Sequence, residues 1–282
     1  MLKTYGYTLV PILLLVASGC TKEPEIERKD IHGLTPFHQA ARAGDLETVR
    51  THLESGVSPN LRDQDGVTAL HRAARDGHME LATLLLEYNA DTNLKTNTNW
   101  TPLQLAAQYK HAPMMELLLR YNADPDAKTP DGRTPLHIVA AHKDAACANA
   151  LLKEYTQWEV RRHEREDGSV DLETVTLGQR HADTSIRDAG GYTAFQRAVE
   201  KKTWDVVSAL LRFDIDLNVA DPDGRWPLHA IVAEAPEHVT LEALSKMPNL
   251  NQRDKDGLTP LQIANKRNSP YLIQMIYSNG GR

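Results

Sequence analysis

The chain has 282 residues, and its 38 acidic side chains outnumber its 32 lysines and arginines, which gives a formal net charge of −6. Nothing in this balance provides the basic footprint that binds a phosphate backbone, so we expect no nucleic-acid partner. The 12 histidines and two cysteines are few enough for metal and thiol chemistry to be considered position by position.

The first 19 residues have the layout of a bacterial signal peptide. Lys3 precedes an apolar run at residues 9–17, which stops just before Cys20. The sequence VASGC that ends in Cys20 resembles a lipobox, with Ala17 where leucine is usual, and this resemblance implies cleavage before Cys20 and lipidation of its thiol. The alternative is an ordinary secretory signal with an incidental cysteine. The apolar run is shorter than the roughly 20 residues that a transmembrane helix needs.

Residues 20–29 are predicted to form a lipidated tether. The segment TKEPEIERK after the cysteine is charged and contains a proline, and its reach is at most about 30 Å. Acyl chains on Cys20 would anchor the protein to the membrane surface without spanning it. Thr21 rather than aspartate follows the cysteine, and resemblance to enteric lipoproteins then favours the outer membrane, whereas Lys22 leaves inner-membrane retention open. We therefore expect a protein that is lipid-anchored in the bacterial envelope and faces the periplasm.

Beyond the tether, a Thr-Pro-Leu-His motif returns with a period of 33 residues. One step is longer: Thr134 to Thr193 is 59 residues, one period with 26 residues added. A fixed period of this length predicts stacked repeats rather than one globular core, here seven repeats with one insertion. The residues at the threonine position are Thr35, Thr68, Thr101, Thr134, Thr193, Trp226 and Thr259.

The repeat segments resemble ankyrin repeats. Examples are GLTPFHQAARAG at 33–44, GRTPLHIVAAHK at 132–143 and GLTPLQIANKRN at 257–268, with a DxxG turn before five of the seven motifs and forms of an LLxxxAxxN pattern after several of them. The resemblance extends over residues 30–282. It implies an all-α ankyrin-repeat solenoid of helix-turn-helix units joined by β-hairpin loops.

Each motif position has a structural explanation. The threonine caps the first helix, and the proline takes the first helical position, where its missing N–H costs nothing. Trp226 replaces the capping threonine, so we expect the sixth repeat to be weaker by about 1 kcal/mol. Four histidines share the last motif position, which predicts a structural hydrogen bond in each repeat and leaves no zinc-like cluster; they are His38, His71, His137 and His229.

The 26 extra residues align to 155–180, after the fourth repeat. Insertions in solenoids emerge as loops on one face. Residues 155–166 have helical composition and residues 170–175 alternate like a strand, with a Gly-Ser pair between them. The segment is either a tolerated surface insertion or a partner-binding arm with Trp158 as its anchor.

Three further expectations concern packing. Cys147 falls on a second-helix core position, which predicts a buried structural thiol, and with Cys20 lipidated no internal disulfide can form. Residues 271–278 are predicted to form a final helix that caps the array imperfectly, or whose apolar face contacts a second chain. We expect a monomer.

Catalytic motifs are missing from the sequence. It contains no phosphate loop, no serine nucleophile elbow, no HExxH and no metal-spaced cysteines. We therefore expect no enzyme activity, no cofactor and no metal.

The resemblance to ankyrin repeats implies that a protein partner binds the hairpin tips and first helices. Residues of types that dominate interface hot spots occupy these variable positions, and we predict that alanine at Trp100, Arg133 and Tyr192 weakens partner binding without unfolding. The five candidates are Trp100, Tyr109, Arg133, Tyr192 and Arg225.

Two functions compete. One is an immunity or inhibitor protein that sequesters a secreted or type VI-delivered toxin such as a phospholipase, since small ankyrin lipoproteins resemble partners of such effectors. The other is an envelope scaffold or assembly factor linked to stress or oxidant defence, since some periplasmic ankyrin proteins are associated with it.

Overall fold

The computed structural model describes residues 34–164, 170–213, 215–246 and 249–282, and for residues 155–180 it gives the course of the backbone. The predicted signal peptide and tether, including Cys20, lie outside these residues. The described ranges hold fourteen helices in seven consecutive pairs, with two strands between the fourth and fifth pairs. The helices are α1 (Pro36–Ala43), α2 (Leu46–Glu54), α3 (Ala69–Asp76), α4 (Met79–Glu87), α5 (Pro102–Gln108), α6 (Ala112–Arg120), α7 (Pro135–Ala140), α8 (Ala145–Leu152), α9 (Ala194–Glu200), α10 (Trp204–Leu211), α11 (Pro227–Glu234), α12 (Glu237–Leu244), α13 (Pro260–Lys266) and α14 (Pro270–Ser278), and the strands are β1 (Tyr155–Glu164) and β2 (Val170–Arg180).

The helices form two layers. The first helices of successive pairs contact one another from α1 to α13, and the second helices contact one another from α2 to α14. Buried alanines such as Ala73 and Ala106 allow the first helices to approach closely, while Leu85 and Leu118 fill the space behind them. This arrangement is the predicted ankyrin solenoid, in which stability comes from contacts between neighbouring repeats.

A capping box begins most of the first helices. In the third repeat the backbone N–H of Gln104 donates to the Thr101 hydroxyl at 3.3 Å, and the backbone N–H of Thr101 donates to the Gln104 side chain at 2.9 Å. The far end of the same side chain donates to the carbonyl of Ala127 at 2.7 Å. Gln104 therefore caps its own helix and also bonds to a following loop.

The histidines at this position have the structural role that their periodicity predicts. In the second repeat the backbone N–H of Thr68 donates to Nδ1 of His71 at 3.2 Å, which leaves the proton on Nε2 to bond to the carbonyl of Trp100 at 3.1 Å. His38 and His137 contact Thr35 and Thr134 in the same way.

The sixth repeat departs from this pattern, as expected from Trp226. The helix α11 begins without a side-chain cap. Nε2 of His229 lies 2.9 Å from the carbonyl of Gln252, but its buried Nδ1 has no hydrogen-bond partner. The loss of the cap is confirmed, and losses of this kind cost about 1 kcal/mol.

Loops between repeats form a row of hairpins. In the second repeat the backbone N–H of Asp63 donates to the carbonyl of Val67 at 3.0 Å, and the tip contacts the next hairpin through Asn97 N–H and the carbonyl of Asp65 at 2.9 Å. Gly66 has a φ of +73°, and a side chain there would meet the backbone nitrogen of Asn97 at 2.9 Å. The glycine is required by both the turn and the close approach of the next repeat.

The insertion is a pair of antiparallel strands, so the helical interpretation of residues 155–166 is wrong. β1 pairs with β2 from Tyr155 opposite Arg180 to Glu164 opposite Val170, with a register irregularity after Gln157. Charged residues made the segment look helical, but aromatic and β-branched residues are interspersed among them and favour a strand. The pairing partner β2 includes residues 170–175, whose alternation predicts a strand, and that prediction is confirmed.

The repeats stack across the insertion without interruption. The helix α7 contacts α9, and α8 contacts α10. The backbone N–H of Asp183 donates to the Asp126 carboxylate at 2.8 Å, which reproduces across the insertion the 2.7 Å bond from Asp124 N–H to the side chain of Asn93. The strand pair therefore leaves the solenoid and returns to it at adjacent points.

Deleting residues 155–180 is expected to leave the solenoid folded, with a free energy of unfolding within about 1 kcal/mol of the parent, because a shorter loop closes at little entropic cost. Urea unfolding followed by far-UV circular dichroism measures this. A deletion of equal length that removes α9 serves as the control and should abolish cooperative unfolding. Loss of cooperativity on deleting 155–180 would show that the strands are part of the core.

The last helix ends the array with one buried face. Leu272 and Ile276 are buried against the core, whereas Tyr271 and Tyr277 are exposed. None of the helices in the described ranges is long and apolar enough to cross a membrane.

Cys147 is buried on α8, and burial raises the pKa of its thiol to about 12. A thiol with so high a pKa is protonated at neutral pH, as expected for a structural cysteine.

Candidate partner-binding site

A cavity of about 650 Å³ lies between the hairpins and first helices of repeats two to four. We call it the repeat-three cavity. Trp100 and Leu105 contribute its apolar surface, and the helix α5 ends at Tyr109 on its edge. Arg75 and Arg133 lie on the flanking repeats.

Three of the predicted partner-binding residues meet in this cavity. Trp100 is half-buried and packs against the core, so its ring is held in place. Tyr109 is 53% exposed, the most exposed large apolar side chain on the first-helix layer of the described residues. Arg133 is exposed and forms an ion pair with Asp131 of its own hairpin. The three therefore combine a fixed aromatic surface, a free aromatic edge and a positive charge.

The backbone of Trp100 is fixed from both sides. Its N–H donates to the hydroxyl of Thr96 at 3.1 Å, and its carbonyl accepts the bond from Nε2 of His71. Burial lowers the pKa of His71 to about 4, so this histidine is neutral at physiological pH. A neutral histidine in one repeat thus positions the aromatic residue of the next.

The arginines around the cavity are oriented by carboxylates. Arg75 forms bonds of 2.8 and 2.9 Å to Asp76, a pairing that raises the pKa of Arg75 and lowers the pKa of Asp76. Arg72 bonds to the buried carboxylate of Asp63 at 2.6 Å and connects helix to hairpin. The guanidinium groups are ordered before a partner arrives, which lowers the entropic cost of binding.

Tyr192 does not have the position that the sequence predicted for an exposed anchor. Its side chain is 8% exposed, and its hydroxyl donates to Asp223 at 2.7 Å, which raises the pKa of Tyr192. The Arg197 guanidinium lies 3.8 Å from the centre of its ring. Most of the Tyr192 side chain is therefore packed between the hairpins of repeats five and six. Replacing Tyr192 with alanine would remove these internal contacts as well as any contact with a partner.

The remaining two candidates lie elsewhere. Arg225 is exposed and bonds at 2.8 Å to each of Asp221 and Asp223, at the rim of a separate cavity between repeats five and six. Trp158 is on β1, opposite Thr176, and its side chain lies outside the description of this segment. Neither residue is part of the repeat-three cavity.

Sequence reasoning missed that Leu105 and Trp226 each line a cavity. Leu105 occupies a helix position that holds arginine in the second and fifth repeats, and only the cavity reveals its place beside Trp100. From the sequence alone, Trp226 was interpreted only as a lost cap. A large aromatic residue at a position suited to a small hydroxyl could also have indicated that its ring lines a cavity. Across the described ranges no three metal-binding side chains come together.

Stacked helix pairs with hairpins along one edge, enclosing aromatic and arginine-rich cavities, define a repeat protein that presents a protein-binding surface. The family model of ankyrin repeats (3 copies) matches residues 4–96 and 88–162, more than half of the chain. The chain belongs to the ankyrin repeat family.

Similar curated proteins share the repeats over about a third of this chain. Neurogenic locus notch homolog protein 1 of Xenopus tropicalis is 34% identical over 102 residues, which cover 36% of this chain and 4% of that protein. Potassium channel KOR2 of Oryza sativa subsp. japonica is 32% identical over 91 residues, 32% of this chain and 12% of the channel. Alpha-latrotoxin-Lg1a of Latrodectus geometricus is 32% identical over 93 residues, again 32% of this chain and 7% of the toxin. The chain therefore spans a small fraction of the length of these relatives.

Proposed function

We propose that the protein is a membrane-anchored periplasmic lipoprotein that binds a partner protein at the repeat-three cavity. The observation that carries the proposal is the convergence of Trp100, Tyr109 and Arg133 on one cavity with a fixed backbone. Aromatic residues and arginine at the centre of a preformed surface are the features of interface hot spots. The lipobox-like sequence at Cys20 supports the anchored location.

An immunity protein is the specific form of this function that we favour. A binding surface held within a short tether of the membrane would meet a toxin that acts on the envelope, and occupation of the toxin's surface would inhibit it without any chemistry. A phospholipase delivered by secretion is a suitable target, because its substrate lies where the anchor would hold the inhibitor.

An envelope scaffold linked to stress or oxidant defence is the second candidate. The observation that favours it is the strand pair of the insertion, since a hairpin whose outer edges pair with no further strand in the described residues offers a second place for a protein to bind. A scaffold needs at least two such places, whereas an inhibitor needs one.

Replacing Cys20 with serine is expected to release the protein from the membrane, because the lipid is proposed to be attached through the Cys20 thiol. Fractionation of the native envelope with an antibody against the chain measures this, and Cys147→Ser is the matched control. Retention of Cys20→Ser in the membrane fraction would contradict lipid anchoring. A soluble parent protein would contradict it as well.

Competition between strains separates the two functions. A strain that lacks the chain is expected to lose against its toxin-secreting parent, and re-expression of the wild-type chain should restore survival. A normal outcome in competition, combined with sensitivity to peroxide or detergent, would favour the scaffold function and contradict immunity.

A further inference from the structure

The sixth repeat contains a second cavity, of about 180 Å³, between α9 and α11. Its apolar surface comes from Val199, Trp226, Pro227 and Ala230. The other six residues that line it are charged or polar. A cavity of about 150 Å³ holds a benzene ring, so this volume has room for a single side chain.

Two residues of the sixth repeat give this cavity its apolar walls on the α11 side. Trp226 takes the position of the capping threonine and adds an aromatic wall, while its ring is only half-buried. Ala230 takes the position of Arg72 and Arg197, which in their own repeats bond to a hairpin aspartate at 2.6 and 2.7 Å. Ala230 instead presents only a methyl group to the space between α9 and α11.

Trp226 removes stabilising hydrogen bonds from the sixth repeat. Trp226 leaves Nδ1 of His229 buried and unpaired, and α11 has no side-chain cap. The Trp226 side chain is only half-buried, so the burial of its apolar surface does not fully offset this loss of stability. Violations of local rules of this kind are typical of functional positions, where stability is given up for binding.

Charges around the cavity are already paired. Lys202 forms an ion pair with Glu234, and Arg225 bonds to Asp221. The rim is therefore balanced, and it gives no preference for a charged group. The occupant that fits this chemistry is apolar.

We propose that Trp226 and Ala230 form a second anchor site, which accepts one aliphatic or aromatic side chain from the partner protein. The proposal rests on the proposed function, and it adds the chemical class of a second contact. A third cavity shares Arg133 with the repeat-three cavity and reaches Lys201, the neighbour in sequence of Lys202 at the rim of the sixth-repeat cavity. One extended segment of the partner could therefore contact both.

Selection of random linear peptides displayed on phage tests this with a defined probe. The bait is the full chain carrying Cys20→Ser, and each recovered peptide is then measured against variants in the same background. Trp226→Thr is expected to weaken binding about tenfold or more while raising the urea midpoint, because the threonine restores the cap and a partner for His229. A merely structural tryptophan would lower the midpoint instead.

Two further variants keep the outcome clear. Ala230→Arg should fill the cavity, as Arg72 does in the second repeat, and weaken binding by a similar factor, whereas Trp226→Phe should retain binding within about threefold because it keeps the aromatic wall. Replacing one apolar residue of the peptide by alanine should have no effect on binding to Trp226→Thr, because the two changes remove the same contact. Tyr277→Ala, on the last helix, is the unaffected control.

Each result decides the proposal. Peptides weakened by Trp100→Ala but not by Trp226→Thr overturn the second anchor and leave the proposed function in place. A selection without peptides that depend on either residue overturns both. Loss of stability in Trp226→Thr also overturns the second anchor.

Discussion

The variant with alanine at Trp100, Tyr109 and Arg133 is expected to bind its partner at least about a hundredfold more weakly than the parent, a loss of about 3 kcal/mol or more. The three side chains surround one preformed cavity, and truncating them removes the aromatic surface and its charge together. The fold should persist with a free energy of unfolding within about 2 kcal/mol of the parent, since only Trp100 packs against the core.

A matched control tests whether position matters more than composition. Alanine at Tyr271, Tyr277 and Arg120 likewise removes two aromatic residues and one arginine, but from the second-helix layer, where the side chains of the two tyrosines are 50% and 72% exposed. Titration calorimetry with the partner recovered from the envelope should show unchanged affinity for this control. Equal weakening by both triple variants would contradict the assignment of the site.

The second large effect is a loss of stability on acidification. His71 is neutral in the folded state, with a pKa of about 4, but an unfolded chain would bind a proton near pH 6.5. Stability is therefore complete above about pH 6.5 and falls as the pH decreases towards 4, because only the unfolded state gains the proton in this range. The contribution of His71 alone is about 3 kcal/mol.

Glutamine at position 71 should remove this contribution. Gln104 makes the same capping and inter-repeat bonds in the third repeat, so His71→Gln preserves the structure but cannot titrate. Urea unfolding at pH 7 and pH 4 should show a smaller loss of stability for His71→Gln than for the parent, with exposed His238→Gln as the control. Identical pH dependence in the parent and His71→Gln would contradict the account of the buried histidine.

The fold was predictable because the repeat motif acts through residues that are close to one another in the sequence. The Thr35 and Pro36 pair that begins a helix, and Gly66 at a turn, each act within a few residues, so the sequence alone indicates them. In the insertion, residues 170–175 were predictable as a strand, whereas β1 and its pairing with β2 were not. The pairing of Val160 with Thr174 is a non-local contact, and the composition of either strand alone does not specify it.

The site was predictable only in part. Position within the repeat placed Trp100, Tyr109 and Arg133 on the binding face, and the structure brings them to one cavity. The place of Tyr192 in its repeat could not show that Arg197 covers its ring or that its hydroxyl bonds to Asp223. These contacts depend on how side chains of two packed elements meet, which the repeat motif does not specify. The cavity beside Trp226 depends on the absence of a long side chain at Ala230, which is evident only when the neighbouring repeat is in place.

Affinity capture from the native envelope tests the central claim most directly. The bait is the full chain carrying Cys20→Ser, compared with the same chain carrying Trp100→Ala, Tyr109→Ala and Arg133→Ala, with mass spectrometry of the retained proteins. The account predicts one envelope or toxin protein that the parent bait retains and the triple variant loses. Equal recovery of that protein by both baits would contradict binding at the repeat-three cavity.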